Sequence, residues 1–227
     1  MSLRFVTVTS PDPAAAYLAD LMRRKLVLGQ RVVWFVTGGS AVAVAVAVAV
    51  ALQLESAPLE KLTVTLTDER YGPVGHADSN WKQLMDTGFA LPGAKLVPVL
   101  TGASKSETVS QWGEEVNRVL EMSDTRIGLF GIGPDGHTSG ILPGSPAVEA
   151  SGTAFAYDGG AYQRITTTNA AISRLDEAVA YVVGRAKWPV LDQLEHDVSL
   201  ALQPAQILKR LPKLTIFTDH PEAKNHE

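Results

Sequence analysis

Residues 126–139 read RIGLFGIGPDGHTS, an apolar run followed directly by a glycine-rich loop. Apolar runs this short, bounded by glycine, predict a buried strand. The glycines let the following backbone turn sharply and approach a ligand closely. In α/β proteins such a loop, at the carboxyl end of a strand, is the usual place for a functional site. The stretch therefore predicts an α/β fold with a site directly after this strand.

The loop also carries the groups that acid–base chemistry needs. It offers the carboxylate of Asp135, the imidazole of His137 and two hydroxyls within a few residues. A carboxylate beside a histidine is a common arrangement for a general base at neutral pH. We therefore predict that His137 is catalytic, with Asp135 as its partner. No pair of histidines has the spacing of metal ligands, so no metal is expected.

The same loop formally matches a dinucleotide-binding pattern. Gly131, Gly133 and Gly136 have the GxGxxG spacing. That pattern requires a helix directly after it. Here Pro143 and Pro146 follow within ten residues, which disfavours a helix. We therefore expect neither a nicotinamide nor a flavin cofactor, and no other cofactor is indicated.

Predicted strands and helices alternate along the chain. The predicted strands span residues 3–8, 31–37, 62–67, 96–99, 126–131, 153–157, 163–168, 178–183 and 214–217, and the main predicted helices span 11–28, 40–54, 104–122 and 185–196, with a further one starting at 78. This alternation predicts a mostly parallel sheet with helices on both faces, in three α/β/α layers. No linker or composition shift divides the chain, so we expect a single domain over residues 1–227.

Composition excludes several classes of function. The net charge of −4 gives no basic footprint for nucleic acid. The absence of cysteine excludes disulfides, thiolate zinc sites and cysteine nucleophiles. The chain starts without a secretory signal pattern, and together these features favour a cytoplasmic location.

One uncharged segment requires a membrane check. Residues 32–52 carry no charge over 21 positions, which is long enough to span a bilayer. However, Thr37-Gly-Gly-Ser40 interrupts the segment near its middle, and no aromatic or lysine anchor follows it. We therefore predict a buried strand, a tight turn and a buried Ala/Val helix, and no membrane association.

Two other turns offer candidate ligand groups. Gly38, Gly39 and Ser40 lie between a strand and a helix, where free backbone N–H groups attract anions. The alternative is that Ser40 only caps the helix. Asp68-Glu69-Arg70 follows another strand and suits either a pocket rim or a solvated turn.

Four blocks in this order resemble the 6-phosphogluconolactonase branch of the phosphosugar isomerase/lactonase superfamily, over about residues 30–215. The blocks are residues 37–40 (TGGS), 67–70 (TDER) with 76–81 (HADSNW), 131–139 (GIGPDGHTS) with 142–144 (LPG), and 164–166 (RIT) with 183–184 and Lys187. The resemblance implies a Rossmann-like α/β domain without nucleotide, which hydrolyses 6-phosphoglucono-1,5-lactone in the pentose phosphate pathway.

The resemblance also implies roles for single residues. His137 is implied as the base that activates water, and Asp135 as the group that shapes its loop. Arg70 is implied as a catalytic residue near the reacting lactone, and Asp68 as a substrate-binding residue. A phosphate clamp is implied from the turn of Gly38, Gly39 and Ser40 together with two cations that carry no spacing signal of their own, Arg164 and Lys187. The expected partner is a small phosphosugar lactone, bound by a monomer or small homo-oligomer.

Two alternative functions remain at this stage. Glucosamine-6-phosphate deaminases resemble the chain at the GGS and DGH blocks, but they typically carry Asn-Glu-Pro-Gly after the histidine and tyrosine at the position of Arg70. Here Leu142 stands where that glutamate would be. The second alternative is a regulator that binds phosphosugars without catalysis, against which the intact Asp135, His137 and Arg70 argue.

Overall fold

The computed structural model describes residues 2–223. The strands are β1 (Ser2–Thr7), β2 (Val32–Val36), β3 (Leu62–Leu66), β4 (Asp68–Arg70), β5 (Lys95–Val97), β6 (Thr125–Phe130), β7 (Ala154–Asp158), β8 (Gln163–Thr167), β9 (Glu177–Val182) and β10 (Lys213–Thr218). The helices are α1 (Asp12–Val27), α2 (Val42–Leu54), α3 (Asn80–Asp86), α4 (Lys105–Met122), α5 (Asn169–Ile172) and α6 (Trp188–Leu194). Short 3₁₀ turns include Gly39–Ala41 and Arg185–Lys187.

Seven strands form one parallel sheet in the order β1-β10-β9-β6-β2-β3-β5. Every residue of the central strand β2 is buried. A parallel strand buried along its whole length has both faces covered, which explains its continuous apolar sequence. The predicted α/β fold with a mostly parallel sheet is confirmed.

The order of the strands creates a switch point between β2 and β6. From β2 the chain moves outward through β3 to β5, and then it returns to the other side of β2 with β6. From β6 it moves outward through β9 to β10. The loops after β2 and β6 therefore diverge from each other and leave a crevice at the carboxyl ends of the strands.

A second, three-stranded antiparallel sheet, β4-β8-β7, was not expected from the sequence. Residues 68–70 form its first strand and do not merely end the strand at 62–67. The predicted strands at 153–157 and 163–168 also belong to it. Thr67 joins the two sheets, because its N–H donates to Val36 at 2.8 Å and its carbonyl accepts from the Thr167 N–H at 2.9 Å.

The Ala/Val segment forms helix α2, as predicted. Its buried residues recur at helical spacing, namely Val44, Ala45, Val48, Ala49 and Leu52. Because β-branched valines are poor helix formers, tertiary packing must supply its stability, and α1 packs against it. Among residues 2–223, no helix is long and apolar enough to cross a membrane.

Two leucines of α2 provide a matched test of this packing. Leu52 is fully buried, whereas Leu54 is 80% exposed. We expect Leu52→Ala to lower the free energy of unfolding by about 2–5 kcal/mol, because it leaves a cavity in the core. Leu54→Ala should change it by less than about 0.5 kcal/mol. Urea unfolding measures both, and equal effects would contradict the described orientation of α2.

Candidate active site

The loops that follow β2, β3, β6 and β9 meet around one cavity of about 300 Å³. The small antiparallel sheet contributes residues from β4 and β8. The lining residues are Thr37, Gly38, Gly39, Asp68, Arg70, Asn80, Gly131, Ile132, Gly133, Pro134, His137, Ser139, Gly140, Arg164 and Lys187. The structure thus brings nearly all of the predicted site residues to one place, at the switch point of the sheet.

His137 and Asp135 form a hydrogen-bonded pair in the loop after β6. His137 Nδ1 lies 2.6 Å from Asp135 Oδ1, which also accepts the His137 backbone N–H at 3.1 Å. Partial burial alone would raise the pKa of Asp135, but the hydrogen bond from the His137 backbone and the nearby imidazole lower it below its ordinary value. Because an ionised carboxylate only accepts, Nδ1 is the donor, and Nε2 is left as the basic nitrogen.

Gly133 is required by the position of the imidazole. A Cβ atom at this residue would lie 2.2 Å from both Cε1 and Nδ1 of His137. The loop closes on itself, since the Gly133 N–H donates to the His137 carbonyl at 2.9 Å and the Gly136 N–H donates to the Gly133 carbonyl at 2.9 Å. The second glycine of the motif therefore lets the ring lie against the backbone.

Arg70 and Arg164 stand directly opposite each other on the antiparallel strands β4 and β8. Like charges in such a pair are destabilising. The Nε atoms of both are buried without a hydrogen-bond partner, although Arg70 Nη1 donates to the Asp78 carbonyl at 2.9 Å. Both arginines line the cavity, and two positive charges at one cavity form a binding place for an anion.

Lys187 lies beside the Gly38–Ser40 turn and adds a third positive charge to the cavity. Lys187 Nζ lies 3.5 Å from Ser40 Oγ, at the limit of a hydrogen bond. Ser40 does not cap α2, whose N-cap is Ala41 without a side-chain bond, so the capping alternative is wrong. Burial lowers the pKa of Lys187, and the negative charge of Asp219 offsets part of this effect.

Asp68 and Glu69 face opposite sides of β4, as successive strand residues do. Asp68 lines the cavity and accepts from Thr67 Oγ1 at 3.0 Å. Glu69 is fully buried at the start of α3, where it accepts the Asn80 N–H at 2.6 Å and the Trp81 N–H at 3.0 Å. The predicted pocket rim is therefore Asp68 and Arg70, whereas Glu69 supports α3. Burial raises the pKa of Glu69 despite these bonds.

Sequence reasoning missed two polar residues of the cavity, Asn80 and Ser139. Asn80 Oδ1 and Ser139 Oγ are buried there without partners. Asn80 follows Ser79, which caps α3 by accepting the Lys82 N–H at 3.1 Å. The HADSNW block was the only signal for Asn80, because the side it faces depends on how α3 docks. Ser139 adopts a left-handed backbone with φ of 50°, which its sequence position does not indicate.

Within residues 2–223, no group of three or more histidine or acidic side chains is placed to hold a metal ion.

Comparisons with known proteins agree with this fold. The family model described as glucosamine-6-phosphate isomerases/6-phosphogluconolactonase matches residues 10–216. A 6-phosphogluconolactonase from Caulobacter vibrioides is 32% identical over 213 residues, 88% of each chain. The crystal structure of a 6-phosphogluconolactonase from Thermotoga maritima superposes with a TM-score of 0.78 at 19% identity, covering 95% of this chain and 99% of that one.

A monomeric glucosamine-6-phosphate deaminase has the same fold, with a TM-score of 0.78 at 17% identity, covering 96% of this chain and 97% of that one. The fold is therefore shared by both kinds of enzyme, and side chains in the cavity must distinguish them.

Substitution of two glycines in the loop after β6 tests the position of the imidazole against Gly133. We expect Gly133→Ala to displace the His137 ring, because the new methyl group would overlap it. Gly131→Ala is the matched control, since no atom lies within 4 Å of its added Cβ. Imidazole NMR signals report the bond from Nδ1 to Asp135, which should be lost only in Gly133→Ala. Its survival there would contradict the described contact.

Proposed function

This chain belongs to the glucosamine-6-phosphate isomerase/6-phosphogluconolactonase family, and we propose that it hydrolyses 6-phospho-D-glucono-1,5-lactone to 6-phospho-D-gluconate in the pentose phosphate pathway. The observation that carries the proposal is that His137, hydrogen-bonded to Asp135, lines one cavity together with three cationic side chains. A base and an anion site within the same cavity fit a phosphorylated substrate that reacts with water.

The proposed reaction begins with His137. Its Nε2 takes a proton from water while the oxygen attacks the lactone carbonyl, and Asp135 stabilises the resulting imidazolium. The carbonyl becomes a tetrahedral oxyanion, which Arg70 stabilises by its positive charge. When the intermediate collapses, the bond between the carbonyl carbon and the ring oxygen breaks, and the imidazolium returns its proton to that oxygen. The products are a sugar hydroxyl and a carboxylic acid, which releases its proton to solvent and becomes a carboxylate.

The proposed role of the other cavity residues is to hold the 6-phosphate. Arg164 and Lys187 supply positive charge, and the N–H groups of Gly38, Gly39 and Ser40 supply hydrogen-bond donors. This clamp holds a group that does not change during the reaction. Asp68 and the two unsatisfied groups of Asn80 and Ser139 offer hydrogen bonds to the sugar hydroxyls.

Cavity side chains favour the lactonase over the deaminase. No glutamate lines the cavity among the residues that the structure describes. The resemblance places the ring-opening glutamate of the deaminases at Leu142, and their usual tyrosine at Arg70. A lactone needs no such acid, because hydrolysis itself opens its ring.

A cytoplasmic location and a monomer or small homo-oligomer complete the proposal. Support for the location is the pathway, whose sugar phosphates are charged metabolites of the cell interior. The residues that line the cavity belong to one copy of the chain, which is compatible with a monomer.

Assays of lactone turnover test both the proposed reaction and the proposed role of His137 as its general base. We expect the protein to accelerate lactone hydrolysis, also with EDTA present, and to release no ammonia from glucosamine 6-phosphate. His137→Ala should lower kcat by about 10²- to 10⁴-fold, the usual contribution of a general base. Exposed His196 provides the control, and His196→Ala should retain normal kcat.

Each failure of this assay has a distinct meaning. Near-normal kcat in a folded His137→Ala variant would exclude His137 as the base. Ammonia release would favour the deaminase. Binding of 6-phosphogluconate without any turnover would favour the regulator.

Substitution of the clamp should act mainly on KM. Binding of the phosphate is nearly equal in the ground and transition states, and a charge-assisted contact contributes about 1.5–3 kcal/mol. Arg164→Ala and Lys187→Ala should therefore each lower kcat/KM for the phosphorylated lactone by roughly 10- to 150-fold. Hydrolysis of unphosphorylated gluconolactone should barely change. Arg210→Ala, at an exposed cation, is the control. Equal losses on both lactones would contradict the clamp.

A further inference from the structure

The loop that joins β7 to β8 carries an aromatic side chain against the two arginines of the cavity. The guanidinium carbon of Arg70 lies 5.2 Å from the centroid of the Tyr162 ring. The guanidinium carbon of Arg164 lies 5.9 Å from the same centroid. Both distances fall within the range of cation–π attraction. Tyr162 does not itself line the cavity, so it contacts the arginines from outside the space where a ligand would bind.

This contact addresses an electrostatic problem at the site. Arg70 and Arg164 are cross-strand partners, and like charges in that position repel. Neither arginine has a salt bridge to an acidic side chain among the residues that the structure describes. The negative face of an aromatic ring attracts both cations without neutralising either charge. Both guanidinium groups therefore keep their full charge for an anionic ligand.

The loop is also shaped around Arg164. A Cβ atom at Gly159 would lie 2.6 Å from Arg164 Nε, so only glycine permits this close approach. The Gly159 N–H donates to the Tyr162 carbonyl at 2.9 Å, which fixes the turn. The backbone and the aromatic ring of one loop thus restrain the same side chain.

We propose that Tyr162 is a positioning residue, which holds Arg70 and Arg164 extended toward the cavity before substrate binds. Restraint of the two side chains before binding reduces the conformational entropy that binding must remove. The effect of Tyr162 on catalysis rests on the proposed function, whereas its effect on the arginine side chains does not.

Tyr162→Leu and Tyr162→Phe form the matched pair of variants. Leucine retains an apolar side chain but removes the π face, whereas phenylalanine retains the ring and removes only the hydroxyl. We expect Tyr162→Leu to raise KM for the phosphorylated lactone by about 3- to 30-fold, the range that a cation–π contact supplies. Tyr162→Phe should remain within about twofold of the unchanged protein.

A double variant separates positioning from support of the fold. If Tyr162 acts on KM through Arg164, then Tyr162→Leu combined with Arg164→Ala should raise KM little beyond Arg164→Ala alone. Multiplicative increases, or equal losses in Tyr162→Leu and Tyr162→Phe, would overturn the proposal.

NMR of the arginine Nε–H groups tests the inference without any substrate. The Arg70 and Arg164 signals, assigned with Arg→Lys variants, should show the ring-current shift of protons that lie against an aromatic face. We expect Tyr162→Leu to abolish that shift and Tyr162→Phe to preserve it. An unchanged spectrum in Tyr162→Leu would overturn the inference even in an active enzyme. The expected spectral change in a protein that hydrolyses no lactone would instead overturn only the proposed function.

Discussion

Strands β2 and β6 pair in parallel over residues 32–35 and 125–128, and this pairing places the turn after β2 beside the loop after β6. Because the next strands along the chain lie on opposite sides of this pair, no crossover covers the space between the two loops. The cavity between the Gly38–Ser40 turn and the loop of Asp135 and His137 exists because of this topology. Asn80 of helix α3 and the second sheet then add walls around a space that the main sheet already leaves open.

Close contact between polar side chains and glycine backbone is the second constraint on the site. The imidazole of His137 lies against Gly133, the amide of Asn80 against Gly38, and the carboxylate of Asp68 against Gly140. A Cβ at these glycines would come within 2.2, 2.3 and 2.9 Å of those groups, respectively. Glycine at these positions lets each polar group lie close against the backbone, and this close contact limits the rotation of the group. Such restriction of functional groups is the basis of preorganisation.

The cavity gathers charge that the folded chain does not neutralise. Arg70, Arg164 and Lys187 face it, although the chain as a whole carries a net charge of −4. Burial lowers the pKa of Lys187, and Arg70 and Arg164 are like charges in a cross-strand pair, so both effects disfavour this arrangement in the absence of an anion. A bound phosphate would offset the repulsion between these cations, so the same unfavourable arrangement would become a source of affinity.

The sequence by itself determined the local features of this protein. The apolar run before Gly131 predicted β6, and the glycine loop after it predicted that Asp135 lies beside His137. Both features are local, because neighbours in the chain are neighbours in space. It did not reveal that residues 68–70 form a strand paired with residues 163–167, because period-two patterns do not specify the partner strand. Four other residues likewise carry no spacing signal, since they lie on separate elements: Arg164, Lys187, Asn80 and Tyr162. Only tertiary structure brings them together, because the order of the parallel strands and the docking of the second sheet decide which distant residues face one cavity.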